Sequence, residues 1–477
     1  MSSIYWHDYE TFGISPQKDR PVQFAGRRTD LNLNPVGDPL NILCQQTEDY
    51  LPQPMAALVT GITPQMAKKG MREACFAKQI HQAFSERETC GAGYNSIRFD
   101  DEFTRYLLFR NFYDPYQREY QNGNSRWDLI DVVRLCYALR PEGITWPVKD
   151  NGNPSFKLED LTAANGIQHG QAHDALADVD ATIELARLVK HHQPKLFDFA
   201  FRQRGKHSVA AQLNISSPGP LLHVSSRYPA SRGCMAMILP ICMHPVNPNA
   251  ALVVDLAKAP DKLLTLSSDD IADRIFTPSV DLPPGVSRIG VKSIAINRSP
   301  VLAPLGVLKG VDLQRIGLDV DACLAHSAQL LPKLTLVGER LREVYGAVRS
   351  FPEVDDADWS LYSGGFASDH DKALSTAVRQ SEPNQLAKLG ERFQDPRLTE
   401  LLFIYRCRNW PESLSDEELT DWREHCKKRL LSGQPSAAEQ FEKALYSARM
   451  SPAASNQGAV LDELEDYAEH VLMPLDH

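Results

Sequence analysis

The sequence predicts an α/β fold in its first part, a β-rich middle part and a mainly α-helical last part. Short apolar runs alternate with amphipathic stretches over roughly the first 190 residues. Short β-like runs broken by Pro and Gly follow, and helical periodicity dominates beyond Phe351. A chain of 477 residues is long enough to form several such domains.

The first domain is predicted to span residues 1–193. Its apolar runs at residues 4–6, 22–25 and 40–44 are typical of strands that precede helices. A long amphipathic helix is predicted after Asp174, and it should end before Pro194 because proline disfavours helical backbone in the preceding residue.

The second and third domains are predicted to span residues 194–350 and 351–477. Strand-like runs at residues 221–224, 235–239, 251–256 and 293–296 indicate a smaller β-rich domain. Helical periodicity at residues 398–405 and 437–449 indicates a helical C-terminal domain.

The composition favours a cytoplasmic protein with no membrane segment. Hydrophobic residues make up 43% and charged residues 23% of the chain, and Asp8 and Glu10 interrupt any secretory signal at the start. The longest apolar stretch, residues 234–243, is broken by Pro240 and is far shorter than the ~20 residues of a membrane span. Nine cysteines without a CxxC pair indicate reduced thiols, not disulfides or a zinc ribbon.

Charge is unevenly distributed along a chain whose net charge is -10. Between Lys195 and Pro240 six basic residues stand against Asp198 alone: Lys195, Arg202, Arg204, Lys206, Arg227 and Arg232. A surface that faces phosphates and an ordinary solvated basic face are both compatible with this segment.

The first predicted strand carries two acids, Asp8 and Glu10, separated by Tyr9. Alternation along a strand places their carboxylates on the same side of the sheet. Hard oxygen ligands of this kind suit Mg²⁺ or Mn²⁺. On its own, however, the triplet is more often explained by solvent-facing acids on an edge strand.

Two further acidic segments stand at predicted helix starts. Asp100 and Asp101 precede one helical stretch, and His173 and Asp174 precede another that contains Asp178. Taken singly, these acids are explained by helix capping and by the helix dipole, and His173 by a structural role.

The complete ordered set, Asp8, Glu10, Asp100, His173 and Asp178, resembles that of the DEDDh exonucleases, which have a ribonuclease-H-like fold. Long stretches also resemble the bacterial exonuclease I family, most clearly residues 7–13, 49–54, 110–116, 124–128 and 138–144, and more weakly residues 297–302 and 401–406. The resemblance implies an exonuclease domain, an SH3-like domain and a helical C-terminal domain that close around single-stranded DNA.

The resemblance also implies an activity: 3'-to-5' hydrolysis of single-stranded DNA to 5'-mononucleotides, in DNA repair and recombination. Two Mg²⁺ ions, for which Mn²⁺ is expected to substitute, activate a water and stabilise the leaving oxygen in such sites. Asp8 would bridge both ions, Glu10 and Asp178 would hold the ion that binds the water, and Asp100 would help to hold the other. His173 would take the proton of the water.

Five residues near the acid segments are candidate DNA contacts, in addition to Glu10 at the metal site. Basic side chains for phosphates and aromatic rings for bases are the expected chemistry, and the candidates are Arg105, Arg134, Lys157, Tyr116 and Tyr120. Core packing and salt pairs are the alternative explanation. Lys157 stands where the family is expected to have arginine, which replaces a bidentate fork with a point charge.

The partners implied by the resemblance are single-stranded DNA and the acidic C-terminal tail of a single-stranded-DNA-binding protein, with the chain acting as a monomer. Two alternatives remain at this point. One is a proofreading or RNA-trimming exonuclease with the same acid set, and the other is an inactive single-stranded-DNA-binding scaffold.

Overall fold

The fold is that of a computed structural model, which describes residues 2–170, 174–347 and 354–475. The strands are β1 (Ser3–Thr11), β2 (Pro21–Thr29), β3 (Leu40–Leu43), β4 (Thr89–Gly93), β5 (Ser125–Asp128), β6 (Leu221–Val224), β7 (Met235–Met243), β8 (Ala250–Asp255), β9 (Val291–Ala295) and β10 (Val301–Pro304).

The α-helices lie between and after these strands. They are α1 (Pro54–Thr60), α2 (Pro64–Ala67), α3 (Glu73–Ser85), α4 (Asp100–Arg110), α5 (Leu129–Leu139), α6 (Leu158–Ala164), α7 (Ala175–His192), α8 (Pro194–Arg202), α9 (Lys206–Leu213), α10 (Asp261–Thr265), α11 (Ser268–Phe276), α12 (Val320–Leu330), α13 (Leu334–Gly346), α14 (Asp369–Gln380), α15 (Ala387–Gly390), α16 (Pro396–Asn409), α17 (Asp416–Leu431), α18 (Ala437–Arg449) and α19 (Gly458–Leu472).

The chain divides into two compact units. Unit 1 comprises residues 1–125, 169–180 and 351–477, and unit 2 comprises residues 126–168 and 181–350. The predicted helix after Asp174 is α7, which ends at His192 just before Pro194, as expected. The helical periodicity predicted near the C-terminus is confirmed by α16 and α18.

Unit 1 is built on a sheet in which the strands lie in the order β3-β2-β1-β4. The central strand, β1, pairs antiparallel with β2 and parallel with β4, where Trp6 lies opposite Ala92. The α/β class is confirmed, but the first three strands follow one another with no α-helix between them. Neighbouring antiparallel strands can be joined by a short loop. Strand β4 runs parallel to β1, and the chain reaches it from β3 through the crossover that contains α1 to α3.

The C-terminal helices of unit 1 share a hydrophobic core with its N-terminal segment. Side chains that follow β1 and lie on α1, Phe12 and Leu58, belong to the same buried cluster as Ile404, Trp422 and Phe441. Burial of large aromatic and aliphatic side chains contributes about 1.5–3 kcal/mol each. This core therefore packs residues 403–475 against the N-terminal segment of unit 1.

A buried ionic cluster adds polar contacts between the same two segments. Asp358 accepts hydrogen bonds from Arg20, Arg408 and Arg429, and Asp49 accepts them from Arg408 and Arg429. Both carboxylates are inaccessible to solvent, so their charges need these guanidinium partners.

Unit 2 contains an antiparallel sheet in the order β10-β6-β7-β8-β9, with hydrophobic clusters that include inward side chains of β6, β7 and β8. The four strand-like runs predicted between residues 221 and 296 correspond to β6, β7, β8 and β9. The β-rich character of this part is confirmed.

Eight of the nine cysteines are buried, and Cys75 is exposed. Across the described parts of the chain, every helix is too short or too polar to cross a membrane.

Candidate metal centre and active site

Strand β1 brings Asp8 and Glu10 together with Asp178. One carboxylate oxygen from each of these three residues lies within 4.8 Å of the others. Because β1 is central in its sheet and Glu10 is only 7% exposed, solvent-facing acids on an edge strand do not explain the pair. The alternation along the strand correctly placed both carboxylates on one face.

Asp178 reaches this group from the first turn of α7. The chain enters that helix at Asp174, whose carboxylate accepts hydrogen bonds from the Leu176 N–H, at 3.2 Å, and from the Gln23 side chain on β2, also at 3.2 Å. Asp174 is thus the capping acid. It orients the first turn so that Asp178, four residues later, faces β1.

Asp100 is held beside β1 by the main chain. Its Oδ1 accepts the N–H of Tyr9 at 3.1 Å, between the two acids of β1, and Asp100 is only 3% exposed. The pairing of β1 with β4 ends at Trp6, so β4 does not compete for that N–H. The helix-capping explanation of Asp100 is wrong, because the N-cap of α4 is Phe99 and no side chain caps it.

Asp101, the adjacent acid, has a different environment. It pairs with Arg118 at 2.6 Å and faces His7 at 3.8 Å, deep in the interior. Burial lowers the pKa of His7 to about 4, so this histidine is neutral at pH 7. Asp101 is therefore compensated by an arginine, whereas Asp8, Glu10 and Asp178 converge.

The converging carboxylates disfavour one another's charge when no cation is bound. Burial, followed by the negative charges of Asp178, Asp100 and Asp174, raises the pKa of Glu10 from 4.5 to about 9. Carboxylates that crowd in this way either take up a proton or bind a cation. The donor set consists entirely of hard oxygens, which is the chemistry that Mg²⁺ and Mn²⁺ require.

His173 lies outside the described residues. The structure instead reveals His169, whose Nε2 forms a hydrogen bond with Asp178 Oδ1. His169 was not predicted from the sequence, although it is a second histidine close before α7 and only nine residues from Asp178. Its side chain is mostly buried, and it fixes the orientation of the Asp178 carboxylate.

Three of the candidate DNA contacts lie in unit 1. Arg105 is buried and ion-paired to Glu119 at 2.8 Å and Glu102 at 2.9 Å, with its guanidinium over the Tyr116 ring at 5.3 Å. Tyr120, in contrast, is 63% exposed. The exposed ring is free of core packing, whereas Arg105 is part of a buried ion network.

The other two candidates lie in unit 2. Arg134 on α5 is mostly buried, pairs with Asp131 at 2.6 Å and lies over the Phe156 ring at 5.7 Å. Lys157 is exposed at the N-cap of α6. The salt-pair alternative describes Arg134, whose partner stands three residues earlier on the same helix, whereas Lys157 remains exposed.

Three family models match the chain in consecutive segments. An exonuclease model matches residues 5–186, an exonuclease I SH3-like domain matches residues 204–347, and an exonuclease I C-terminal domain matches residues 355–471. Together with the converging carboxylates of β1 and α7, these matches define the class of the protein, an exonuclease with two additional domains.

The relatives extend this resemblance over nearly the whole chain. Exodeoxyribonuclease I of Escherichia coli is 47% identical over 426 residues, which cover 89% of each chain. The crystal structure of E. coli exonuclease I with a dA16 oligonucleotide superposes with a TM-score of 0.94 at 44% identity, over 99% of this chain and 100% of that one. Exonuclease I of Methylocaldum szegediense gives a TM-score of 0.93 at 46% identity, with the same coverage. The chain belongs to the exodeoxyribonuclease I family.

Proposed function

We propose that the chain degrades single-stranded DNA from its 3' end to 5'-mononucleotides, with two divalent metal ions at the Asp8, Glu10 and Asp178 group. The observation that carries this proposal is the convergence of three carboxylate oxygens within 4.8 Å on a buried central strand. Membership of the exodeoxyribonuclease I family indicates the substrate, because a solved E. coli relative binds a dA16 oligonucleotide.

Mg²⁺ is the proposed ion, with Mn²⁺ as a substitute. A solved E. coli exonuclease I complex with single-stranded DNA contains zinc, which supports a divalent site in the family. Bound divalent ions activate a water and stabilise the oxygen that leaves phosphorus. Asp8 is proposed to contact both ions, Glu10 and Asp178 to hold the ion that binds the water, and Asp100 to help to hold the other.

The protein's own groups prepare this chemistry. The hydrogen bond from Tyr9 N–H holds Asp100, and His169 holds Asp178, so little reorganisation is needed when metal binds. His173 is proposed as the general base, because an imidazole has a pKa near ~6.5 and can accept the proton of the attacking water at neutral pH.

DNA binding is proposed to use Arg105, Arg134 and Lys157 for phosphates, Tyr116 and Tyr120 for bases, and Glu10 at the terminal nucleotide. Exposed Tyr120 offers a ring face for stacking, which is tolerant of sequence. Arg105 is positioned by Glu119 and Glu102, which pre-organise its guanidinium at the expense of part of its charge.

The remaining proposals concern organisation and partners. We place the domains at residues 1–193, 194–350 and 351–477, and we expect a cytoplasmic monomer that acts in DNA repair and recombination. A solved relative, 42% identical, is described as SSB/Exonuclease I in complex with an inhibitor. This supports docking of the acidic tail of a single-stranded-DNA-binding protein as a property of the present chain.

The test compares three substrates and two isosteric variants. Purified protein with Mg²⁺ is incubated with single-stranded DNA labelled at its 5' end, with matched duplex DNA and with RNA. Asp178→Asn removes a converging carboxylate, and Asp180→Asn changes a carboxylate of the same helix that pairs with Arg27 outside the group.

Stepwise shortening of the single strand, retained by Asp180→Asn and lost by Asp178→Asn, is the expected result. Efficient shortening of RNA would favour an RNA-trimming enzyme. Intact strands with Mg²⁺ and with Mn²⁺ would overturn the nuclease proposal and leave a DNA-binding scaffold.

A further inference from the structure

A buried ion pair lies beside the candidate metal centre without belonging to it. Arg118 donates a hydrogen bond to the Asp101 carboxylate at 2.6 Å, and both side chains are at most 2% exposed. Asp101 directly follows Asp100 at the start of α4. Because successive residues of an α-helix are rotated by about 100° around its axis, the two carboxylates point in different directions. Asp100 faces β1, and Asp101 faces the interior.

The ion pair attaches the turn of α4 that carries the metal-facing acid. The N-cap of this helix is Phe99, and no side-chain hydrogen bond caps it. Asp100 is attached to β1 through the Tyr9 N–H at 3.1 Å. The pair between Arg118 and Asp101 is a further attachment of the same turn, made to a separate segment of the chain. A shift of Arg118 would therefore move the turn from which Asp100 projects.

The guanidinium of Arg118 is itself held in the interior. It lies over the Phe84 ring, 4.5 Å from the ring centre. Of the two basic groups that face Asp101, Arg118 is within hydrogen-bond distance, whereas His7 Nε2 is 3.8 Å away. A buried carboxylate without a bonded cation is costly, so Asp101 depends on this arginine for its position.

The same arginine belongs to the segment that carries two candidate base contacts. It lies in the short helical turn Gln117–Glu119, between Tyr116 and Tyr120. The last residue of this turn forms a second ion pair with α4, to Arg105 at 2.8 Å. The turn and the helix are thus joined at two points, and one of these points adjoins a candidate metal ligand.

We propose that Arg118 is a positioning residue for the candidate metal centre. Through its ion pair with Asp101 it holds Asp100 at the place where that carboxylate helps to bind a divalent ion. The inference rests on the proposed function, in which Asp100 is one of the metal ligands. Groups that orient a metal ligand from behind are a general feature of metal sites, and Arg118 acts in this way through the neighbouring residue on the helix.

The test compares variants of the full-length chain that separate position from stability. Arg118→Met removes the guanidinium and leaves Asp101 buried without it. Asp101→Asn combined with Arg118→Met removes both charges, which should recover most of the stability because no buried charge is left unpaired. Arg110→Met is the matched control, because it breaks a buried pair with Glu73 on the same helix. The control lies about 15 Å from Asp100, at the other end of α4.

Calorimetric titration with Mn²⁺ measures metal binding without cleavage, with thymidine 5'-monophosphate, a proposed product, present throughout. Loss of a group that orients a metal ligand weakens metal binding about 10–100-fold. Arg118→Met and the double variant should both show this loss, and Arg110→Met should bind Mn²⁺ as the parent does. Arg118→Lys should recover part of the affinity, because it keeps the charge but not the planar fork. In cleavage assays, the Mg²⁺ concentration for half-maximal rate should rise by the same factor, and most of kcat should return at saturating Mg²⁺.

Melting temperatures in EDTA show whether Arg118 acts only on the fold. Mn²⁺ affinity that follows the melting temperature through all the variants, Arg110→Met included, would overturn the proposal. Parent-like Mn²⁺ binding by the double variant would overturn it as well, and this variant decides the question if Arg118→Met does not fold. A parent chain that binds no Mn²⁺ would instead refute the candidate metal centre, and with it any role of Arg118 there.

Discussion

Two groups of buried carboxylates in unit 1 have opposite electrostatic environments. Near β1, Glu10 is surrounded by other acids, and its pKa rises to about 9. In the ionic cluster, Asp49 and Asp358 are surrounded by Arg20, Arg408 and Arg429, which hold the pKa of both carboxyls well below the usual range. Burial acts in the same direction in both places, so the difference is due to the charge of the neighbours.

Within one unit, the carboxylates near β1 serve the candidate metal site, whereas those of the ionic cluster stabilise the fold. The compensated cluster joins the N-terminal segment to the C-terminal helices, and it needs no ligand. The group near β1 brings like charges around Glu10 and is destabilising until cations bind, which is the condition expected of a metal site. Substitutions near β1 should therefore lower activity and raise the free energy of unfolding of the metal-free chain. Substitutions in the ionic cluster should lower the free energy of unfolding and leave activity unchanged.

Glu10→Gln should produce the largest effect on activity. Loss of a metal-binding carboxylate removes several kcal/mol of charge stabilisation, which corresponds to about a thousandfold lower kcat or more. The same change should raise the melting temperature of the metal-free chain at neutral pH, because a neutral amide does not need the proton that Glu10 must take up beside Asp178 and Asp100. Single-turnover kinetics with metal present measures the change in activity. Calorimetry in EDTA measures the melting temperature of the metal-free chain. A lower melting temperature would show that the Glu10 carboxylate stabilises the metal-free chain, and it would contradict the predicted destabilisation at this site.

Asp358→Asn should produce the largest loss of stability. The amide leaves Arg20, Arg408 and Arg429 incompletely compensated in the interior, and breaking a buried pair costs about 3–5 kcal/mol. Urea denaturation should show a lower midpoint with an unchanged slope. The carboxylates of β1 are untouched, so the folded fraction should cut DNA normally at low temperature. Normal stability would mean that the cluster is dispensable.

The stability of the metal-free chain should fall on both sides of a maximum near pH 4–5, by up to about 6 kcal/mol toward pH 9. The folded pKa of Glu10 is raised, so its contribution is complete below pH 4.5 and is lost as pH rises through about 9. Asp49 and Asp358 have lowered folded pKa values, so their contribution is present above about 3.8 and is lost as pH falls below it.

Denaturation at a series of pH values measures this profile. Glu10→Gln and saturating Mg²⁺ should each flatten the alkaline side and leave the acid side unchanged. An alkaline slope that persists in Glu10→Gln would assign the titration to another group.

Much of the candidate site could be predicted from the sequence because its signals are local. The alternation of β1 places Asp8 and Glu10 on one face, and the helix start at Asp174 places Asp178 on the first turn. Their convergence depends on sheet order, which resemblance to the exonuclease fold supplied. The strands of the β-rich middle were likewise visible as short apolar runs.

The features that were missed depend on contacts between distant residues. Asp49 and Asp358 are 309 positions apart, and no local pattern marks either one as part of an ionic cluster. Asp100 was predicted only as a member of the complete acid set, and no local pattern showed its hydrogen bond from the Tyr9 N–H, which lies 91 residues earlier. His169 was passed over because a loop histidine has no periodicity to place it.

Asp180→Asn should produce the smallest effect on activity and on stability. It tests whether the site needs carboxylates that coordinate the metal directly or only a negative field near β1. Asp180 is half exposed and pairs with Arg27 at 2.6 Å, so its loss should cost less than about 1 kcal/mol. Its carboxylate is outside the converging group, and activity should stay within about twofold of the parent if the metal positions depend on coordination. If instead the site needs only a negative field, Asp180→Asn should lower the affinity for Mg²⁺ measurably. A titration of activity against Mg²⁺ concentration decides between coordination and field, because only coordination requires an oxygen within reach of the ion.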